Sequence, residues 1–351
     1  MKMKKGTKIF LWCAAVATVV AGAAGFVLGR YYVDNKMPNF SKEYVLFVRP
    51  DMSAQEVMDS INAGAGTVRP KSLERAFAEV EAAQKMKPGR YIIKPEATSI
   101  YAARMIVFGW ETPGNLVLSG TMRTKERIAQ KIGSQMLVDS ASVMAALNDE
   151  AFLAEYGFTP ENVFGMILPD TYQMYWTASV KDIFDRLKKE YDAFWTPERL
   201  AKAQAQGLTP AQVSVLASIV SGETLQQKEY PIIAGVYLNR YKIGMRLQAD
   251  PTIAYIHNYE PNRILKKHLK VDSPYNTYIY KGLPPTPINV PPKACLEAVL
   301  NPDKNNYIYF CASPAFDGTH RFAAGYSEHL KNAREFQRAL TKRQKEKAAS
   351  K

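Results

Sequence analysis

An uncharged run from residue 9 to residue 29, preceded by Lys2, Lys4, Lys5 and Lys8 and closed by Arg30, dictates where the rest of this chain can fold. About 20 helical residues, rising about 1.5 Å each, cover the hydrocarbon core of a bilayer. The run is therefore read as a single-pass anchor, with the basic segment 1–8 held on the cytoplasmic side by its lysines. Everything after Arg30 is then exported. Ala21, Ala23 and Ala24 could mimic a signal-peptide cleavage site, but the run continues through Phe26, Val27 and Leu28, longer than a usual signal core.

Export decides how the charge is read. A formal net charge of +13 would by itself permit nucleic-acid binding. Outside the cytoplasm, an anionic envelope polymer or a lipid headgroup is the natural partner, and no nucleic acid is expected. Much of that charge is solvated surface, including the polar, basic tail 341–351, which is expected to fray. Cys13, Cys295 and Cys311 form no CxxC pattern, and Cys295 and Cys311 are read as two buried free thiols rather than a disulfide. His257 and His268 sit in a polar insertion, and no HExxH pattern occurs, so neither metal nor cofactor is expected.

The 351-residue chain is long enough for two or three folded units. Residues 44–108 alternate strand (YVLFV), helix (54–62), helix (71–84), strand (GRYIIK) and helix, a small α+β module. Ser53 is its first helix cap, and KPG at residues 87–89 turns the chain into the second strand. A second unit starts near Asn115 with the strand LVL, a turn SGTM and helical text from Lys125 to about Tyr156. After LPDTY at residues 168–172, Ile183, Leu187, Tyr191 and Phe194 recur at helical spacing over 180–194. The run YIYF at 307–310 reads as a buried strand.

Thr209 and Pro210 form an N-cap and first-turn pair for a helix carrying Val213, Leu216, Ile219 and Val220 on one face. At about 100° per residue, Glu223 lies within about 40° of Leu216 and Ile219. A carboxylate aimed along a buried face is desolvated, which raises its pKa and suits it to protonate a leaving oxygen. Taken alone this is a weak signal, because glutamates near helix ends are more often exposed or salt-bridged. A second helix follows, with Ile233, Val236, Tyr237 and Arg240 on one side.

The segments ASIVSGET, AGVYLNRYKIGMRLQADPT, SPYNTYIYKGLPPTPI, NPDKNNYIYF and GTHRF, in that order, resemble the endolytic murein transglycosylases, the YceG-like family. Five motifs in fixed order are far more specific than any one of them. The resemblance extends to the anchor (9–29), the KPGRY segment of a LysM-like module (40–113) and the LPDTY element. It implies an α+β fold class: a transmembrane helix, the LysM-like module, then a mixed α/β catalytic domain (114–345), with 114–208 as its first part and 209–340 as its core.

Glu223 matches the second glutamate of the family's IVEKET-like motif, its catalytic residue. Ser221 stands where that motif has its first glutamate, and Gly222 replaces a longer side chain. Phe164 stands where a glutamate usually precedes the PDTY element. The activity implied is non-hydrolytic: Glu223 protonates the glycosidic oxygen, and its carboxylate then deprotonates the C6 hydroxyl of the same muramic acid, leaving a 1,6-anhydro end. Implied partners are peptidoglycan glycan strands, the membrane and cell-wall synthases.

Candidate substrate-binding residues are Gln248, Tyr275, Asn276 and Tyr278, which offer hydrogen-bonding groups and π-faces of the kind sugars require, together with Arg240, Asp250 and His320. His320 lies in GTHRF, which matches a GGHxF element of the family. Asp250 reads first as a turn-former before Pro251, with orientation of Arg240 or stabilisation of positive charge as its other roles. Two alternatives stay open. Ser221 and Phe164 keep alive a non-catalytic glycan-binding or assembly scaffold, and Asp250 could make the chain a hydrolytic muramidase with two carboxylates.

Overall fold

The computed structural model describes residues 5–261 and 263–349; Lys2 and Lys4 of the basic segment, and the last two residues of the basic tail, lie outside the described residues. The chain divides into two compact units. The first comprises residues up to 115 together with Gln173–Ala178, and the second comprises Leu116–Tyr172 and the residues from Ser179 onward. Sequence alone placed 173–178 in the catalytic part, because nothing in that stretch signals a return to the first unit.

The first unit opens with α1 (Lys5–Lys36), among the described residues the one helix long and apolar enough to cross a membrane. Its apolar run is exposed, and Asp34 in its last turn is the buried residue of the helix. Asp34 is only 5% exposed. It accepts 2.8 Å and 2.6 Å hydrogen bonds from Arg75 Nε and Nη2, and a 2.6 Å bond from Ser72 Oγ. The end of α1 thus packs on the module's helices Pro70–Glu79 and Ser99–Phe108.

In that module β1 (Tyr44–Val48) pairs antiparallel with β2 (Gly89–Ile93), Tyr44 opposite Ile93 and Val48 opposite Gly89. Between them lie α2 (Ala54–Ile61), α3 (Pro70–Glu79) and α4 (Ala82–Lys85); α5 (Ser99–Phe108) follows. Ser53 caps α2 in a reciprocal box with Glu56. The helix expected over 71–84 is broken, because Glu81 takes a left-handed conformation at φ 54°. Leu46, Val57, Ile61, Leu73, Tyr91 and Ile106 form the sealed core.

Strands β3 (Gly114–Leu118) and β4 (Asp170–Met174) pair in a two-stranded ribbon, and the chain passes from one unit to the other within each of them. In the second unit, the helical text expected from 125 to 156 is three helices: α6 (Lys125–Gly133), α7 (Ser140–Ala146) and α8 (Glu150–Ala154). Asp139 and Asp149 cause the breaks, their side chains capping the N–H groups of Ser142 and Phe152. Next come α9 (Val180–Phe194), at its expected bounds, and α10 (Pro197–Ala205).

The centre of the unit is α11 (Pro210–Glu223), α12 (Tyr230–Lys242) and, beyond α13 (Asp250–Ile256), α14 (Lys293–Leu300). Helices α11, α12 and α14 pack on one another through Leu216, Ile219, Ile233, Tyr237, Cys295 and Val299, all fully buried. The hairpin of β5 (Tyr309–Ala312) and β6 (His320–Ala323) lies beside α15 (Tyr326–Ala349). The expected YIYF strand is shifted to start at Tyr309, and it is half-exposed because a two-stranded ribbon is covered on one face only. The tail expected to fray is helical through Ala349, since its Ala, Lys, Glu, Gln and Arg residues are strong helix formers. Cys295 and Cys311 are free thiols, the first buried and the second half-buried.

Candidate active site

Helix α11 starts where its sequence says it should. Thr209 Oγ1 accepts from Gln212 N, Gln212 Oε1 accepts from Thr209 N, and Pro210 fills the first turn. It stops at Glu223, because Thr224 turns to extended backbone at φ −147°, ψ 152°. The carboxyl therefore sits at the last residue of a helix whose body is buried, where the helix carbonyl ends disfavour negative charge. Gly222, one residue earlier, is exposed but hemmed in: a Cβ there would lie 2.6 Å and 2.8 Å from Pro251 Cβ and Cγ. That close approach brings the start of α13 against the end of α11.

The two helices share a cleft of about 320 Å³ lined by Glu223 and Asp250, with Arg123, Tyr259 and Asn289 among its other walls. Asp250 is the first residue of α13 rather than a free-standing turn-former, and its carboxylate faces the same space as Glu223. Tyr278 Oη donates a 2.5 Å hydrogen bond to Asp250 Oδ1, which fixes that carboxylate in place.

Glu223 itself is half-buried, with one side open to the cleft and protein packed closely about the carboxyl. Burial pushes its pKa up to about 7. The hydrogen bond from Tyr237 works against that rise, the negative charge of Asp250 adds to it, and Arg240 opposes it. Tyr237 is fully buried on α12 and donates from Oη to Glu223 Oε1 at 2.5 Å. Burial holds that phenol protonated far above its usual range, so it serves as a donor.

Arg240, one turn further along α12, is buried with its Nε 2.6 Å from Ile308 O and its Nη1 2.5 Å from Leu247 O. Its hydrogen bonds go to backbone. It supplies positive charge from behind the site and ties α12 to the loops on either side.

The other sequence candidates separate by geometry. Tyr275 packs against Tyr255 with ring centres 4.8 Å apart and planes tilted by 47°, and it lines a neighbouring cavity of about 520 Å³. Asn276 is fully buried, and its amide is spent on the loop: Nδ2 donates to Leu269 O and Val271 O, and Oδ1 accepts from Tyr278 N. It braces the segment carrying Tyr278. Gln248 is exposed with φ 49°, and its backbone N–H bonds Thr277 O; its place is a left-handed turn before α13, outside the cleft lining.

His320 also faces inward, between Phe310 and Phe322, with its backbone N–H and Nδ1 each 2.8 Å from the Glu229 carboxylate oxygens. Glu229 in turn meets Thr224 Oγ1 at 3.4 Å. This chain of contacts docks the β5–β6 hairpin on the residue that follows Glu223. Among the described residues, no group of three or more His, Cys, Asp or Glu side chains is placed to hold a metal ion.

Ser221 Oγ lies 3.0 Å from Asn289 Oδ1 and 2.9 Å from Ser218 O, while Asn289 Nδ2 donates to Ser218 O at 2.8 Å. These short polar side chains line one wall of a second cavity of about 330 Å³, which meets the first at Arg123, Gly222 and Asn289. Phe164 is buried and borders the 520 Å³ cavity. Sequence reasoning missed Tyr237 as a functional group and did not single out Arg123, Tyr259 or Asn289. The spacing of Tyr237 and Arg240 on one helix face was its one usable cue.

The model of the YceG-like family matches residues 46–335. An endolytic murein transglycosylase of Bacillus subtilis is 31% identical over 220 residues, covering 58% of this chain and 60% of its own length. An endolytic murein transglycosylase of Streptococcus pneumoniae is 24% identical, covering 93% of this chain. The chain spans 65% of that relative's length. The crystal structure of a putative YceG-like protein from Listeria monocytogenes superposes with a TM-score of 0.56 at 25% identity, covering 83% of this chain and 98% of that one.

Proposed function

Because the chain belongs to the YceG-like family, we propose that it is an endolytic lytic transglycosylase that cleaves peptidoglycan strands beside the membrane, with Glu223 as acid and then base. The observation that carries this reading is a glutamic acid half-buried at the wall of a cleft and held by a buried phenol, where burial pushes its pKa up to about 7. Such a group holds a proton near neutral pH and is still basic once it has given it up. In the proposed course, Glu223 protonates the glycosidic oxygen while positive charge develops at the muramic acid C1. The negative charge of Asp250, across the same cleft, stabilises that centre. The Glu223 carboxylate then takes the proton of the C6 hydroxyl as that oxygen closes on C1. The nucleophile belongs to the substrate, so one carboxyl serves both steps.

The anchor α1 places the N-terminus inside and the body outside the cytoplasm in this reading. The LysM-like module steadies the strand, and cell-wall synthases are the neighbours that would supply it. A second reading has a specific observation in its favour: Asp250 faces the same cleft as Glu223 and is held there by Tyr278. It could activate a water and make the enzyme a hydrolase. Mass spectrometry of the products from defined strands separates the readings. Anhydro ends support the transglycosylase, new reducing ends the hydrolase, and intact strands a binding scaffold.

A further inference from the structure

Three cavities meet at one side chain. Arg123 lines the 320 Å³ cleft with Glu223 and Asp250, the 330 Å³ cavity beside Ser221, and the 520 Å³ cavity beside Tyr275. It is exposed, and among the described residues it has neither a carboxylate nor a hydrogen-bond acceptor as partner. The nearby charges are otherwise engaged or out of reach. Lys125 donates to Asn148 Oδ1 at 2.7 Å, and Lys293 pairs with Asp170. Glu126, Glu161 and Asp250 line the same cavities, but none forms an ion pair with Arg123.

The guanidinium is nonetheless held in place. It lies 4.8 Å from the centre of the Tyr259 ring, a distance that gives cation–π attraction. Tyr259 adopts φ 59° directly after Asn258 at φ 52°, a left-handed pair that is unfavourable for a bulky side chain. The strain is held by the hydrogen bond from Tyr259 Oη to Ile288 O and by Tyr259 N to Ala254 O at 2.7 Å. The fold thus accepts backbone strain to seat a ring, and the ring seats an unpaired cation in the cleft that Glu223 also lines. A planar guanidinium is the side chain best matched to a carboxylate, which it can grip through two parallel hydrogen bonds.

We propose that Arg123 receives a carboxylate carried by the glycan strand next to the scissile bond, making the cleft selective for acidic over amidated substituents. The inference rests on the peptidoglycan reading given above and names a feature of the substrate that reading leaves open. Peptidoglycan offers such a carboxylate from two sources: the lactyl group of a muramic acid without peptide, and the free carboxylates of an attached peptide. Either would bring its charge to Arg123 while the glycosidic oxygen faces Glu223.

The test uses the full-length chain in detergent and labelled strands of one length in four forms: peptide-free with the lactyl carboxylate free or methylamidated, and peptide-bearing with its carboxylates free or amidated. Binding and cleavage are measured for wild type, Arg123→Gln and Arg123→Lys. Wild type should bind one acidic form about tenfold or more tightly than its amidated counterpart, in both Kd and KM. Arg123→Gln should close that gap, and Arg123→Lys should keep part of it, since a lysine retains the charge without the fork.

A gap confined to the peptide-free pair identifies the lactyl group as the source, and a gap confined to the peptide-bearing pair identifies the peptide. The proposal is overturned if wild type does not discriminate within either pair, or if Arg123→Gln weakens acidic and amidated strands alike. A wild-type chain that binds every form but cuts none overturns the catalytic reading, and the Kd ratios still decide the role of Arg123.

Discussion

Tyr237 Oη, on α12, donates a 2.5 Å hydrogen bond to Glu223 Oε1, at the end of α11. The phenol is fully buried and stays protonated, so it occupies one carboxyl oxygen permanently. In the proposed reaction the other oxygen carries the proton that is delivered in the cleft. The same bond favours the carboxylate form, so Tyr237 moderates the rise in pKa that burial imposes.

The pH dependence of cleavage should follow from that balance. Glu223 must be protonated to act as acid, so kcat/KM should fall as pH rises above about 7. Tyr237→Phe removes the bond that favours the ionised form and should move this limb to higher pH. Asp250→Asn removes a repelling charge and should move it to lower pH. Shifts of up to about one unit are expected, and a limb that neither substitution moves would assign the titration to another group.

Stability should show the opposite side of the same shift. The native pKa of Glu223 lies above its unfolded value, so the native state holds more protons between about 4.5 and about 7, and stability falls as pH rises through that window. Glu223→Gln should therefore be more stable than wild type above pH 7, by on the order of 2–3 kcal/mol. The advantage should vanish below about pH 4.5. Urea unfolding at two pH values checks both ends.

Gly222→Ala tests the seam between α11 and α13. Its methyl would fall 2.6 Å from Pro251 Cβ, a ring atom that cannot swing aside. Pushing the helices apart should cost about 1–3 kcal/mol and loosen the relation of Glu223 to Asp250, so kcat should drop in a variant that still folds. Unchanged stability and rate would show that α13 gives way freely.

The latch at the base of the anchor makes a further expectation. A fragment beginning at residue 31 keeps Asp34 on Arg75 and Ser72, whereas one beginning at residue 39 leaves both without it. The longer fragment should unfold at higher denaturant, with a difference of about 1–3 kcal/mol. Equal midpoints would mean that the pair contributes nothing and that the module is independent of the apolar helix.

What was legible in the sequence was what local rules decide. The Thr209–Pro210 cap and the apolar period of α11 place Glu223 on an inward face. The strands and caps of the module followed from the same kind of signal. The breaks at Asp139 and Asp149 were hidden, because their surroundings read as continuous helix and only the side-chain bonds decide the outcome. Contacts across distant sequence were hidden too. Nothing near Arg123 announces Tyr259, and Asn276, chosen as a sugar ligand for its amide, spends that amide on its own loop. The burial of Asp34 was masked by its position just past an apolar run that reads only as a membrane span.

The most direct test of the account is Glu223→Gln in the full-length chain, with strand cleavage and strand binding measured on the same preparation. The glutamine keeps the shape and can still accept from Tyr237, but it cannot deliver a proton to the leaving oxygen. Cleavage should fall by about 100-fold or more, while strand affinity and the thermal midpoint are retained or improved. Near-normal cleavage by a folded, strand-binding Glu223→Gln protein would contradict the assignment of Glu223 as the catalytic acid and base.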